Sequence, residues 1–190
     1  MKIIGGRYRD RDELRGLGVA EVGSNVMVHE TVILVDVDHI KLGSNVRIDA
    51  FSVLSASGGL IEIGNYVHIS SHACVMGGAG VVMDDFSGLS SGVRLYSTSD
   101  DYSGASLTNP TVPKEYLHII GGEIRLGRHV IIGSGAIVLP GTNIGEGCAI
   151  GALSLVTKSL SPWGIYSGIP ARRIKERSNE LLVQEARLIG

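Results

Sequence analysis

The residues best equipped for chemistry crowd one stretch, Asp100 to Glu123, DDYSGASLTNPTVPKEYLHIIGGE. It holds the adjacent carboxylates Asp100 and Asp101, the phenol of Tyr102, the ammonium of Lys114 and the imidazole of His118. A carboxylate with an ordinary pKa of about 4 is a weak base toward an alcohol unless it is strongly desolvated. It suits an amine better, because it can orient the amine and take the proton as charge develops. The plain alternative for SDDYSG is an acidic turn, since Asp, Ser and Gly all favour turns. A second cluster, Arg172, Arg173, Lys175 and Arg177, offers charge-assisted hydrogen bonds to phosphate. Its plain alternative is a solvated basic face.

Of the six histidines, His72 in ISSHAC is the second candidate for a base or an acceptor contact, against a purely structural role. His68 and His129 occupy equivalent-looking positions and read as surface or interface residues, while His118 closes the loop and is placed to reach a neighbouring subunit. His29 and His39 lie far from the loop in sequence. No grouping has the spacing of metal ligands, so no metal is expected. Cys74 and Cys148 lack basic neighbours and read as small packing residues, neither nucleophiles nor a disulfide framework.

What must position these groups is a repeat of six. From Leu126 the chain reads LGRHVI, IGSGAI, VLPGTN, IGEGCA, IGALSL and VTKSLS, each block opening on an aliphatic. Gly follows that aliphatic in four of them, at 127, 133, 145 and 151. No helix has a strict period of six. Short parallel strands joined by tight turns do, coiled as a prism with the opening aliphatics stacked inside. Strand alternation then points one residue in and the next out. Earlier coils start at Val22, Leu42, Ile63 and Met83, spaced 20, 21 and 20, against a clean 18 from Leu126 to Ile144. The extra residues are expected at one corner. GGAG at 77–80 and SASGGL at 55–60 lack the strand–helix setting of a phosphate loop and read as corners too.

Three regions follow. Residues 1–21 form an N-terminal helical cap, with a helix over 8–17 capped by Asp10 and Glu13, striped by Leu14 and Leu17 and stopped by Gly18. Residues 22–168 form the parallel coil, interrupted by the loop 100–123. Residues 169–190 form a C-terminal helix that starts just after Pro170, carries the basic cluster in its first turns and packs through Leu181, Leu182, Val183 and Leu188.

The composition agrees with such a coil. Among 190 residues, 27 are Gly and only 5% aromatic, which suits a thin aliphatic prism better than a layered core. A net charge of −2 without like-charge blocks points to neither nucleic acid nor an anionic membrane. No run approaches spanning length and no apolar signal core opens the chain, so the expectation is a cytoplasmic protein without membrane insertion.

The repeats, followed by GALSLVTKS and GIPARRIK, resemble the hexapeptide-repeat acyltransferases of the sugar and small-molecule branch. The resemblance covers nearly the whole chain from ELRGLG onward. It implies an all-β fold, a left-handed parallel β-helix, whereas the general rule for parallel crossovers favours the right hand. It also implies acetyl-CoA as cosubstrate and a homotrimer with active sites between prisms. Carried over by position, Ala136, Ala152 and Ser154 would line the pantetheine arm, Thr157 and Lys158 would lie along it, and Arg172 and Lys175 would meet the phosphates. Many members place a His followed by Pro where the repeats give way to the loop. Here that stretch is LYSTSDD, with Asp100 at the His position and Asp101 one residue away. Loss of that His favours N-acetylation over O-acetylation, by direct attack of the amine on the thioester. SDDY and NPTVPKEY look similar to segments of bacterial enzymes acting on sugars for surface polysaccharides. The acceptor expected is therefore a nucleotide-linked amino deoxysugar, contacted by Tyr102, Lys114 and His118. The alternatives are a sugar O-acetyltransferase using His72 or a neighbour's His, a small-molecule acetyltransferase of the serine type, and a non-enzymatic β-helix assembly subunit.

Overall fold

A computed structural model describes residues 4–190, and across them the blocks of six stack as a three-faced parallel β-helix. Face I holds the strands Glu21–Val22, Ile40–Leu42, Ile61–Ile63, Val81–Met83, Ile124–Leu126 and Asn143–Ile144. Face II holds nine strands, running from Tyr8–Arg9 through Met27–His29, Arg47–Ile48, His68–Ile69, Gly88–Leu89, Ile131–Ile132 and Ala149–Ile150 to Gly164–Ser167 and Arg172–Glu176. Face III holds Ile33–Val35, Val53–Ser55, Cys74–Met76, Arg94–Tyr96, Ile137–Val138 and Leu155–Val156. Chain direction runs I, II, III and back to I.

The predicted coil starts are in register. Val22 pairs with Leu42, Leu42 with Ile63, Ile63 with Met83, Met83 with Leu126, and Leu126 with Ile144. The block-opening aliphatics Leu126, Ile132, Val138, Ile144 and Val156 are wholly buried. The fifth-position Val130, Ala136 and Cys148 are buried with them. Truncating one such Ile or Leu to Ala costs roughly 2–5 kcal/mol, the lost transfer energy plus the cavity left behind. The recurrent Gly is steric. A Cβ on Gly127 would lie 2.7 Å from the Glu146 amide nitrogen, and one on Gly133 would lie 2.6 Å from that of Ala152. The repeated Asn25 and Asn45 take the left-handed backbone at one vertex, with φ of 53° and 58°.

The extra residues of the early coils all sit at the vertex from face III to face I. It is there that Gly58 and Gly80 turn with positive φ, and there that the long excursion departs. The excursion leaves through Thr98–Asp100 and returns through Ile119–Gly121 as an antiparallel ribbon, so it begins and ends at one point. Val81 still pairs with Ile124 across the return.

Both ends of the chain differ from expectation. Helix α1 spans only Arg11–Gly16, because Tyr8–Arg9 is drawn into face II as a strand antiparallel to Val28–His29. The predicted capping box of Asp10 and Glu13 is present, and Leu14 is fully buried, but Leu17 is an exposed cap residue. No helix follows Pro170. Arg172–Glu176 is a strand antiparallel to Gly164–Ser167, hinged at Gly168 with φ of 105°. The last coil strand would otherwise present an unpaired edge, and pairing it outweighs the helical preference of the Arg and Lys side chains. Helix α2 begins only at Leu181 and ends at Ile189. None of its residues is buried; Leu181 and Leu182 are half-covered, while Val183 and Leu188 are exposed.

Candidate active site

The ribbon from the III–I vertex sets Asp100 opposite Ile119. A cavity of about 490 Å³ opens there, with Asp100, Asn109, Val112 and Lys114 in its wall. One acidic and one basic group predicted from sequence thus share a pocket. The neighbouring Asp101 has a different task. Its carboxylate accepts bonds from the Ser103 amide (2.8 Å), the Ser103 hydroxyl (2.8 Å) and the Ser106 hydroxyl (3.1 Å). These bonds, the Ser103 hydroxyl first, hold it below the usual carboxylate range, and the charge of His118 adds to the effect. Asp101 shapes the loop with both oxygens engaged. Tyr102 is 92% exposed just after the outgoing strand, and His118 is exposed just before the returning one.

His72 is not brought to this pocket. It sits at the vertex from face II to face III, exposed and with φ of 61°, its ring 5.3 Å from that of Phe51. His68 and His129, equivalent to the eye in sequence, are not equivalent in space. His68 points outward from face II, half-exposed. His129 is buried at the I–II vertex, stacked on Phe86 at 5.2 Å, with Nε2 bonded to Glu185. Arg128 also pairs with Glu185 and so helps tie α2 to the coil.

The residues expected to hold coenzyme A fall into two sets. Ala136, Ala152 and Ser154 lie on successive coils at the II–III vertex, where the Leu153 amide bonds to Ser134 and the Leu155 amide to Gly168. Ala136 is fully buried, so only its backbone and its small size can serve a ligand. Ser154 is buried as well, its Oγ accepting from the Gly168 amide at 3.2 Å, and Ala152 is exposed. Thr157 and Lys158 are exposed beyond the two-residue strand Leu155–Val156, toward the next vertex. Arg172 and Lys175 project from the final strand. Neither forms an ion pair among the described residues, and the one bond from Arg172 goes to the Ala171 carbonyl. Two unpaired cations beside an open turn fit the phosphates of a coenzyme A end. Arg177 is spent otherwise. Its Nη1 donates to the carbonyls of His129, Gly147 and Cys148 at 2.8, 3.0 and 3.3 Å.

Sequence reasoning missed one assembly altogether. On face II, Asp49 Oδ1 accepts from the Tyr8 hydroxyl at 2.5 Å and from Arg47 Nε at 2.7 Å, and Asp49 Oδ2 lies 2.8 Å from His68 Nε2. Burial alone would raise this carboxyl; the bonds from Tyr8, His68 and Arg47 overcome it and leave Asp49 below its usual range. Beside it lies a cavity of about 430 Å³ whose wall includes His68, Ser70, Ser87, Gly88 and Ser90. The available signal was the outward slot one coil apart, which reads Arg47, His68, Gly88. Cys74 and Cys148 are pushed up by burial, so neither thiol is primed as a nucleophile. No group of three metal-binding side chains occurs among the described residues.

Residues 123–158 match the bacterial transferase hexapeptide family of six repeats. The chain is 42% identical to a dTDP-4-amino-4,6-dideoxy-D-glucose acyltransferase of Escherichia coli, over 94% of this chain and 93% of that protein. It superimposes with a TM-score of 0.92 on AntD, an N-acyltransferase from Bacillus cereus, in complex with dTDP and 3-hydroxybutyryl-CoA, at 38% identity and 96% coverage of both chains. A Ser-to-Cys variant of AntD with dTDP-4-amino-4,6-dideoxyglucose and coenzyme A gives 0.93, at 37% identity and 98% coverage of both. The coil has the left-handed architecture that the resemblance implied, against the general crossover rule. With the repeat register, the vertex turns and nearly end-to-end similarity in agreement, the chain belongs to the hexapeptide-repeat acyltransferases, in the same branch as these amino-sugar acyltransferases.

Proposed function

We propose that this protein transfers an acetyl group from acetyl-CoA to the amine of a nucleotide-linked amino deoxysugar. The observation that carries the reading is the 42% identity, spread over 94% of the chain, to an acyltransferase of such a sugar. The amine attacks the thioester carbon directly, since both cysteines are held as thiols by burial. Asp100 holds the amine through its charge, and Lys114, in the same cavity, faces the acceptor's phosphates. Tyr102 and His118 contact the acceptor from the loop. Ala136, Ala152 and Ser154 flank the pantetheine, Thr157 and Lys158 lie along it, and Arg172 and Lys175 meet the phosphates of the coenzyme. His72 stands apart from the loop cavity, which weighs against it as the base.

The working form is a homotrimer with the loop of one copy reaching the next. Outward slots support this. Face I carries the charged ladder Glu21, Lys41 and Glu62, whereas faces II and III expose Met27, Ile131, Ile33 and Val35. A prism face has little concavity of its own, and two apposed prisms have more. The product serves surface polysaccharide assembly in the cytoplasm; no helix among the described residues is long and apolar enough to cross a membrane.

The test is thiol release from acetyl-CoA against sugar nucleotides carrying an amine or a hydroxyl at the variable carbon. Release with amines alone is expected. Release with hydroxyl acceptors alone would overturn the reading in favour of O-acetylation.

A further inference from the structure

We propose that the cavity over Gly88 on face II receives the acceptor sugar, and that His68, held by Asp49, takes the proton from its amine during acyl transfer. This rests on the acyl-transfer reading above and adds to it a place and a proton acceptor.

Two independent features converge there. The first is a missing side chain. Gly88 occupies an outward strand slot between His68 and Ile131, and a Cβ there would find only an ordinary contact, 3.5 Å from the His68 carbonyl. Packing does not demand glycine at this position; what glycine does is keep the floor of the cavity open. The second is an oriented imidazole. Asp49 is held as the anion, so His68 Nε2 carries the proton and donates to Asp49 Oδ2 at 2.8 Å. Nδ1 keeps its lone pair and has no partner among the described residues.

That geometry does specific work. The amine nitrogen attacks the thioester carbon, a C–N bond forms, and the N–H proton passes to His68 Nδ1. The tetrahedral adduct collapses, the C–S bond breaks, and the leaving thiolate takes the proton back as coenzyme A thiol. Imidazole exchanges protons near neutrality, which suits both transfers. The charged and titratable groups facing His68 are Asp49, Arg47 and Tyr8 beside it, and His129 and Arg177 across the cavity.

The experiment compares wild type with His68→Gln, Asp49→Asn and Gly88→Val in thiol release, with the amino-sugar nucleotide that wild type turns over best. H68Q is expected to lower kcat by about tenfold or more and to erase the acid limb of the pH profile. D49N should also lower kcat, since the imidazole loses the carboxylate that fixes its tautomer and aim. G88V should raise the acceptor KM by about tenfold with the acetyl-CoA KM unchanged, and circular dichroism reports whether it folds. An active wild type with an unaltered profile in H68Q, or an unaltered acceptor KM in a folded G88V, sinks this inference alone. A wild type inert toward every amino sugar sinks the acyl-transfer reading and takes this inference with it.

Discussion

Asp100 and Asp101 are adjacent and chemically identical, yet the fold gives them different surroundings. Asp101 is bound on both oxygens by Ser103 and Ser106, while Asp100 opens on a cavity shared with Lys114. Replacing Asp100 with Asn is expected to cost about tenfold or more in turnover with no change in the fold, read by thiol release and circular dichroism; an unchanged rate removes it from the site. Replacing Arg172 and Lys175 together with Ala should raise the KM for acetyl-CoA severalfold and leave the acceptor KM alone, because phosphate contacts act mainly on ground-state binding. The residue type was legible in both cases. The division of labour between the two carboxylates was not, because it depends on hydroxyls two and five positions further on that only a folded loop brings back.

Helix α1 shows how a short element is secured by its ends. Asp10 accepts from the amides of Asp12 and Glu13, and Arg7 grips the Glu13 carboxylate through both terminal nitrogens, at 2.8 and 2.6 Å. Replacing Asp10 with Ala should cost about 1 kcal/mol in chemical denaturation. Its Arg7 bonds first, and the Asp10 amide next, lower the Glu13 carboxyl to about 2. A lowered carboxyl stabilises the folded form above its unfolded value, and this contribution is lost as pH falls through the folded one. Glu13→Gln should therefore flatten the acid side of the stability curve below about pH 4.5. The capping box was legible because it is local. The C-terminal strand was not: RRIKE looks helical alone and becomes a strand because the last coil leaves an edge beside it.

At the scale of the molecule, the loop leaves at the vertex between faces III and I, and face II lies opposite that vertex. Within one copy Asp100 and the Gly88 cavity are on opposite sides of the prism. In the proposed trimer they belong to one site built by two copies. Mixing Asp100→Asn with His68→Gln chains and reassembling them should then recover about a quarter of wild-type activity, because one interface in four draws both intact residues. Mixtures as inactive as the separate variants would show that the two residues do not share a site. The coil itself was readable because every block repeats the same inward phase. The Asp49 cluster was unreadable because Tyr8, Asp49 and His68 stand 41 and 19 residues apart and meet only once the coils stack.

The excursion that starts and ends beside Thr98 and Gly121 makes the prism indifferent to what the excursion contains. Strand pairing resumes at Ile124 as though nothing had intervened. The vertex is thus a natural exchange point, where a graft can retarget the enzyme without renegotiating its core. Trading residues 98–121 for the short turn that the preceding coil uses, Gly77–Gly80, should yield a well-folded solenoid that has lost its hold on the acceptor amine.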